Sequence, residues 1–297
     1  MKKPILIFGA DGQLGQEFLA LTQERGIEAR AFTRAELDIE DRNAVESTVN
    51  AVMPRLVLNA AAYTAVDKAE TDTLAAEACN IWGAENISRA TAVHGIPIVH
   101  ISTDYVFDGS KASAYVETDP VNPLGVYGRT KAEGEAAVRL ANARNIILRT
   151  SWTFGQYGAN FLKTMLRLAQ ERDSLRVVAD QHGRPTSTRD ISEAVLAVDR
   201  AMDSNETVPW GTYHFAGSTL QTWHGFATLI IEAQASLTGR KPPVSPIKTE
   251  EYPTPAKRPV NSELDSSKFA AAFGYKSADL VSRINETIAA IGPSRQP

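Results

Sequence analysis

In the first half of the chain, short unbroken apolar runs alternate with stretches of helical spacing. Ile5–Phe8, Ile27–Phe32, Leu56–Leu58, Ile96–Ser102 and Asn145–Arg149 read as strands. Between them, Gln13–Arg25 repeats apolar residues at Leu14, Phe18 and Leu21, the period of a helix. Val45–Val52, the alanine-rich Thr73–His94 and Val126–Asn142 read as further helices. Strands that are apolar throughout, rather than alternating, are buried on both faces. With helices between them, they predict an α/β fold built on a parallel sheet.

The second half is less regular. Phe161–Arg172 and Ile191–Met202 read as helices, Leu175–Ala179 as a strand between them and Thr212–Phe215 as another. Thr222 is placed to cap a helix running to about Leu237. Pro242, Pro243, Pro246, Pro253, Pro255 and Pro259 predict an extended loop rather than regular structure. Asp265 and Ser277 are expected to cap two short final helices. The expected division is a nucleotide-binding unit over 1–152 and a smaller, mainly C-terminal α/β unit over 153–297, with the chain crossing back around 175–205.

Composition narrows the function. The 297 residues carry 31 basic and 35 acidic side chains, a net charge of −4. General nucleic-acid binding wants a basic face, so it is a poor fit. Cys79 is the single cysteine and forms no internal disulfide. Four apolar residues after Met1-Lys2-Lys3-Pro4 are too few for a signal-peptide core, and no run of 18 apolar residues appears. The expectation is a cytoplasmic enzyme with a small-molecule substrate and neither nucleic-acid nor membrane partners.

The first strand runs into Gly9-Ala10-Asp11-Gly12-Gln13-Leu14-Gly15, and a helix follows. Three glycines at this spacing permit a tight turn, close backbone approach and close helix packing. The helix then offers free N–H groups to a pyrophosphate. This is the start of a Rossmann-type, doubly wound sheet. At the end of the second strand, an acid would select the ribose of NAD. Phe32-Thr33-Arg34 has none, and Arg34 favours the 2′-phosphate of NADPH, with NADH also open.

Tyr127-Gly128-Arg129-Thr130-Lys131 sets a phenol and an ammonium on one helical face. Bringing a tyrosine pKa from about 10 to about 7 takes roughly 4 kcal/mol. A cation about 4 Å away at intermediate dielectric supplies about that much. Lys131 is therefore expected to acidify Tyr127 and to hold the ribose. Thr103 lies in Ser102-Thr103-Asp104 at the carboxyl end of a strand, where open α/β sheets bind ligands, and can orient a carbonyl.

The glycine spacing, with the threonine, tyrosine and lysine, resembles the extended short-chain dehydrogenase/reductase superfamily. More specific stretches are Asn59–Glu70 (NAAAYTAVDKAE), Ser102–Gly109 (STDYVFDG), Arg149-Thr150-Ser151-Trp152, Asp180-Gln181 with Gly183 and Pro185-Thr186, and Tyr252–Pro259 (YPTPAKRP). Over nearly the whole chain they resemble the dTDP-4-dehydrorhamnose reductase family. The resemblance implies NAD(P)H-dependent reduction of a 4-keto nucleotide sugar. It implies cofactor contacts from Gly9, Gly12, Gln13, Leu14, Gly15, Arg34, Asp38, Ile39, Ala60, Ala61, Ala62, Tyr127 and Lys131. Thr103, Tyr127 and Lys131 would be catalytic, and Thr103, Asp104, Tyr127, Trp152, Asn160 and Arg258 would meet the substrate. Arg258 is the candidate for the diphosphate, because a guanidinium binds phosphate in a bidentate way. Tyr252–Arg258 would close as a lid.

Related 4,6-dehydratases place an acid after Asp at the strand end, whereas Tyr105 stands here. Cys79 sits mid-helix and reads as core, away from the epimerising cysteine of fucose-type synthases. Both departures favour plain reduction. His94, His100, His182, His214 and His224 show no metal-ligand spacing, so no catalytic metal is expected. Some family members are linked to a magnesium-bridged dimer. Glu17 and Asp190 are the acids available for that, and both magnesium and a homodimer stay open. Two other readings also stay open: another nucleotide-sugar 4-ketoreductase, and a non-catalytic partner like the regulatory subunit of methionine adenosyltransferase.

Overall fold

The computed structural model describes residues 2–203 and 207–292. The chain begins with β1 (Ile5–Phe8), α1 (Gln13–Glu24), β2 (Ala29–Phe32), α2 (Arg42–Val52) and β3 (Leu56–Asn59). Short helices α3 (Val66–Ala69) and α4 (Thr73–Glu77) lead through a π-helical stretch, Ala78–Gly83, into α5 (Ala84–Val93). Then come β4 (Ile98–Thr103), α6 (Val126–Ala141), β5 (Asn145–Thr150), β6 (Thr153–Phe154) and α7 (Phe161–Glu171). Next are β7 (Leu175–Val178), β8 (His182–Gly183), β9 (Thr186–Ser187), α8 (Thr188–Asp203) and β10 (Gly211–His214). The chain finishes with β11 (Gln221–Thr222), α9 (Trp223–Thr238), β12 (Val244–Ile247), α10 (Ser267–Phe273) and α11 (Leu280–Ile291).

The apolar runs form one six-stranded sheet in the order β10-β5-β4-β3-β1-β2, with every pairing parallel. Successive side chains alternate across it. Ile5 and Ile7 join Leu14, Phe18, Leu21, Ile191 and Val195 on the side of α1 and α8. Leu6 and Phe8 join Val45, Val49, Ile87 and Val138 on the side of α2, α5 and α6. Covered faces are why the central strands β1, β3, β4 and β5 read as apolar runs, while the edge strands β2 and β10 are only partly buried. The fold is thus α/β and Rossmann-like. A separate cluster built on Phe154, Leu162, Leu166, Phe226, Ile230 and Ile284 packs α7, α9 and α11 together. The chain leaves the sheet after β5 and returns, α8 packing beside α1 and β10 pairing with β5. No helix among the described residues is long and apolar enough to cross a membrane.

Several elements differ from expectation. The helix expected over 73–94 is broken by the π-helical stretch. The proline-rich loop contains β12, which pairs with β7. Leu175 N–H donates to Pro243 O and Ala179 N–H to Ile247 O, so alternate residues face the partner and Pro246 turns its nitrogen away. Thr222 does cap α9, accepting from Gly225 N–H at 3.0 Å. Asp279, not Ser277, caps α11. Asp265 accepts from Ser267 N–H beside the start of α10, whose N-cap residue is Ser266.

Ser277 is instead committed to Asp190, which is 1% exposed. That carboxylate accepts from Ser277 Oγ (2.8 Å), Tyr275 Oη (2.9 Å) and Arg283 Nε and Nη2 (3.0 and 2.8 Å). It ties α8 to the C-terminal segment. Asp190→Ala removes the buried partner of Arg283, leaving it only the exposed Glu286, and should cost about 3–5 kcal/mol of unfolding free energy. Urea denaturation reads this directly, and a loss below about 1 kcal/mol would show that the cluster does not hold α11 in place.

Candidate active site

The glycine turn is built as its spacing implies. Gly9 has φ +84°, and a Cβ there would lie 2.6 Å from Ala61 N. A Cβ on Gly15 would lie 2.1 Å from Gly9 O, so α1 can sit against the turn only with glycine at that position. Gly12 is the N-cap residue of α1, and no side chain caps it. The first-turn N–H groups are therefore left for a ligand.

The turn and the carboxyl ends of the central strands enclose a cleft of about 520 Å³. Thr103, Asp104, Tyr127, Lys131, Trp152 and Asn160 line it together, with Gly12, Gln13 and Leu14. A narrower arm of about 180 Å³ shares Gly12, Ala60 and Ala62 with the cleft. It continues past Gly9, Arg34, Asp38, Ile39 and Ala61. Gly15 and Arg258 line neither. Gln13 Oε1, Asp104 Oδ2 and Thr150 Oγ1 are buried without a hydrogen-bond partner, and all three residues line the cleft. Buried polar atoms left unpaired are costly and mark where a ligand belongs. A dinucleotide with its pyrophosphate over α1 and its adenosine along the narrow arm fits these residues.

Tyr127 and Lys131 lie on the first turns of α6. Glu70 Oε1 accepts the N–H of Val126 at 2.8 Å and so caps that helix from a distant segment. Lys131 does not sit against the phenol as expected. Its Nζ donates to Ile101 O at 2.7 Å and lies 3.4 Å from His100 Nε2. Burial brings the lysine down to about 8. Burial also pushes the Tyr127 phenol well above its ordinary value, against a hydrogen bond with Thr103. Without ligands, the cost of burying a phenolate outweighs any help from the lysine, and Tyr127 stays protonated. Thr103 Oγ1 donates to Asp104 Oδ1 at 2.9 Å and accepts from Tyr105 N–H at 3.2 Å. Burial raises the Asp104 carboxyl to about 6.

Other site residues are more committed than their positions suggested. Asn160 lines the cleft but spends its amide locally. Its Oδ1 caps α7 through Lys163 N–H, and its Nδ2 donates to Gly155 O. Arg258 pairs with Asp67 Oδ2 (2.9 Å) and donates to Tyr105 Oη (3.0 Å), while Ala256 N–H also reaches Asp67. The loop is thereby docked, and Arg258 buttresses Tyr105 at the cleft rim rather than facing the cavity. Arg34 contacts Asp38 at 3.4 Å and Glu40 at 3.1 Å. Asp41 caps α2. Glu17 takes Gln156 and Thr188 at its carboxylate. Among the described residues no three His, Cys, Asp or Glu side chains are grouped to hold a metal.

Several residues that shape the site had no local signal. Asn80, in the π-helical stretch, accepts from Tyr63 N–H and donates to Tyr63 O and Thr130 Oγ1. It joins the loop after β3 to α6. Glu135, one turn beyond Lys131, is buried against Arg149 and Ser102. Trp223 stacks on Trp152. Glu70 and Asp67 fall in the quoted NAAAYTAVDKAE stretch, which was the available pointer to them.

Similarity to known proteins agrees with this architecture. The family described as RmlD substrate binding domain matches residues 1–292. The dTDP-4-dehydrorhamnose reductase of Aggregatibacter actinomycetemcomitans is 45% identical over 278 residues, covering 93% of this chain and 95% of the relative. The crystal structure of dTDP-4-dehydrorhamnose reductase from Bacillus anthracis, in complex with NADP, superposes with a TM-score of 0.90 at 33% identity. It covers 98% of this chain and all (100%) of the other. The ortholog from Clostridium acetobutylicum gives a TM-score of 0.89 at 39% identity, covering 98% and 99%. A complete strand-end threonine, tyrosine and lysine set beside an uncapped glycine turn, matched along the full fold, places the chain in the dTDP-4-dehydrorhamnose reductase family.

Proposed function

We propose that the cleft reduces the 4-keto group of dTDP-4-dehydro-L-rhamnose to give dTDP-L-rhamnose, using NADPH. The observation that carries this reading is the meeting of Thr103, Tyr127, Lys131 and Trp152 in one cleft that continues into the glycine-turn arm. When bound, the dihydronicotinamide supplies the hydride. Gly12 and the first turn of α1 receive the pyrophosphate, and Gln13 Oε1 finds its missing partner on the cofactor. Lys131 holds the ribose hydroxyls.

Tyr127 donates its proton to the C4 oxygen as negative charge develops there. A phenol kept neutral by burial is the form this direction of reaction requires. Thr103 has one proton, which it cannot give to Asp104 and to the ketone together. With Asp104 already raised to about 6, substrate covering the cleft favours its protonation. A protonated Asp104 donates to Thr103 and frees the threonine proton for the ketone. Trp152 packs against the sugar. Asn160 stands at the cleft wall, and Arg258, held by Asp67, steadies Tyr105 at the rim. Arg34 meets the 2′-phosphate, but its two carboxylate neighbours dilute the preference, so NADH is also accepted.

Incubation with dTDP-4-dehydro-L-rhamnose should oxidise NADPH and yield dTDP-L-rhamnose. Tyr127→Phe should lower kcat by about 10²-fold or more, with NADPH affinity retained. Turnover near wild type would remove Tyr127 from its role. Arg34→Ala should raise the KM for NADPH and leave that for NADH nearly unchanged, whereas equal loss of both would show that Arg34 does not read the phosphate. The carboxyl of Asp104 offers a pH test. Its folded pKa lies above its unfolded one, so the fold favours the protonated form. That contribution is full below about pH 4 and is lost as pH rises through about 6. Asp104→Asn, which does not titrate, should therefore gain roughly 2–3 kcal/mol on wild type between pH 4 and pH 7.5 in urea titrations. A difference that does not change with pH would refute the burial of this charge.

A further inference from the structure

Trp152, two residues past the end of β5, has φ +47°, a left-handed backbone that bulky side chains rarely adopt. Such a conformation at a ligand cleft persists only when its surroundings over-determine it. Here they do. The indole stacks on that of Trp223 with ring centroids 3.6 Å apart and planes 7° from parallel. Gly183 closes on the ring edge, where a Cβ would come within 2.5 Å of Trp152 Cε2. Trp223 is itself fixed. Its Nε1–H donates to Gln181 Oε1 at 3.2 Å, and Phe161 leans on it at 4.6 Å between centroids. Gln181 is buried and donates its Nε2–H to Thr249 Oγ1 at 3.0 Å. Gln181 and Gly183, which the reduction itself has no use for, thus converge on this pair of rings.

Both indoles line the main cleft, and neither touches the narrow arm beside Arg34. We propose that Trp223 is the positioning residue for Trp152: its stacked ring fixes the angle at which the Trp152 indole meets the substrate's hexose ring. This rests on the reduction assigned above. A flat aromatic wall held at one angle binds the sugar without contacting the nucleotide or the nicotinamide. Trp223 therefore governs the sugar's share of the affinity.

Calorimetric titration of the intact enzyme with dTDP and with dTDP-L-rhamnose reads the sugar separately from the nucleotide and needs no turnover. Trp223→Leu should weaken dTDP-L-rhamnose by about tenfold, while dTDP and NADPH stay within about twofold. The far-ultraviolet exciton signal of the stacked indoles should disappear. Trp223→Phe, which keeps a flat ring, should restore most of the lost affinity. Gln181→Leu removes the indole's hydrogen-bond partner without touching either ring, and should weaken the same ligand by about threefold. An unchanged affinity for dTDP-L-rhamnose in Trp223→Leu, with the exciton signal gone, overturns the proposal. Equal weakening of all three ligands also overturns it. Should Trp223→Leu fail to fold, an unchanged Gln181→Leu has the same force. A wild-type enzyme that binds dTDP and dTDP-L-rhamnose equally overturns both the wall and the substrate. A sugar increment that responds to Trp223, without turnover, upholds the wall and overturns only the reduction.

Discussion

Glu135 and Arg149 form an ion pair sealed beneath α6, 1% and 4% exposed at their side chains. The guanidinium reaches the carboxylate through Nε (2.8 Å) and Nη2 (2.7 Å), and Ser102 Oγ adds a third bond at 2.6 Å. Arg149 Nη1 then donates to His214 Nε2, and His214 Nδ1 to Tyr115 O. Burial beside Arg149 keeps that histidine neutral, down to about 3. A buried pair of this kind stabilises little in itself, but breaking it leaves a bare charge and costs about 3–5 kcal/mol. Its effect here is geometric. Tyr127, Lys131 and Glu135 are spaced four apart on α6, so they share one helical face. Ser102 and Arg149 are register partners on β4 and β5, next to the partners Thr103 and Thr150. Pinning Glu135 to that pair of strands therefore sets the height and rotation at which the phenol and the amine meet the strand-end threonines.

The opposite wall of the cleft is held differently. No ion pair links the aromatic residues there. Trp152, Trp223 and Phe161 depend on ring contacts and on the close approach of Gly183. One side of the site is thus fixed by buried charge and the other by shape. Asp67, reaching both Ala256 N–H and Arg258, ties the proline-rich loop to α3.

What could be read from the chain follows from how local each feature is. Apolar runs, the glycine turn and the four-residue spacing of tyrosine and lysine depend on neighbours in sequence, and their chemistry is visible in the letters. The acidity expected of Tyr127 is not local, because the partner of Lys131 is a carbonyl on β4 whose position the sheet decides. Arg258 reads as a free phosphate ligand until Asp67, far back in the sequence, is seen to hold it. The break in the long helix has a tertiary cause as well. A Cβ on Gly134 would fall 2.1 Å from Asn80 O, so α6 lies directly on the widened turn while Asn80 is bound to Tyr63. The strand hidden among prolines escaped because the pattern gives proline's presence but not the direction in which its nitrogen faces.

The return of the chain to β10 has a consequence for the order of assembly. The sheet's last strand is made some sixty residues after β5, and the intervening segment includes α7, β7 and most of the residues around Trp152. Ile146, Leu148, Tyr213 and Phe215 belong to one core cluster with α1 and α8. During synthesis, the cofactor half therefore exposes an unfinished sheet edge and a bare apolar face until residues of the other half have left the ribosome. Neither half is a module that can be exchanged as a single stretch of gene. A crossover placed after β5 would separate strands that share a core, so new substrate preferences are more readily reached by substitution within the cleft wall than by swapping the part that carries it.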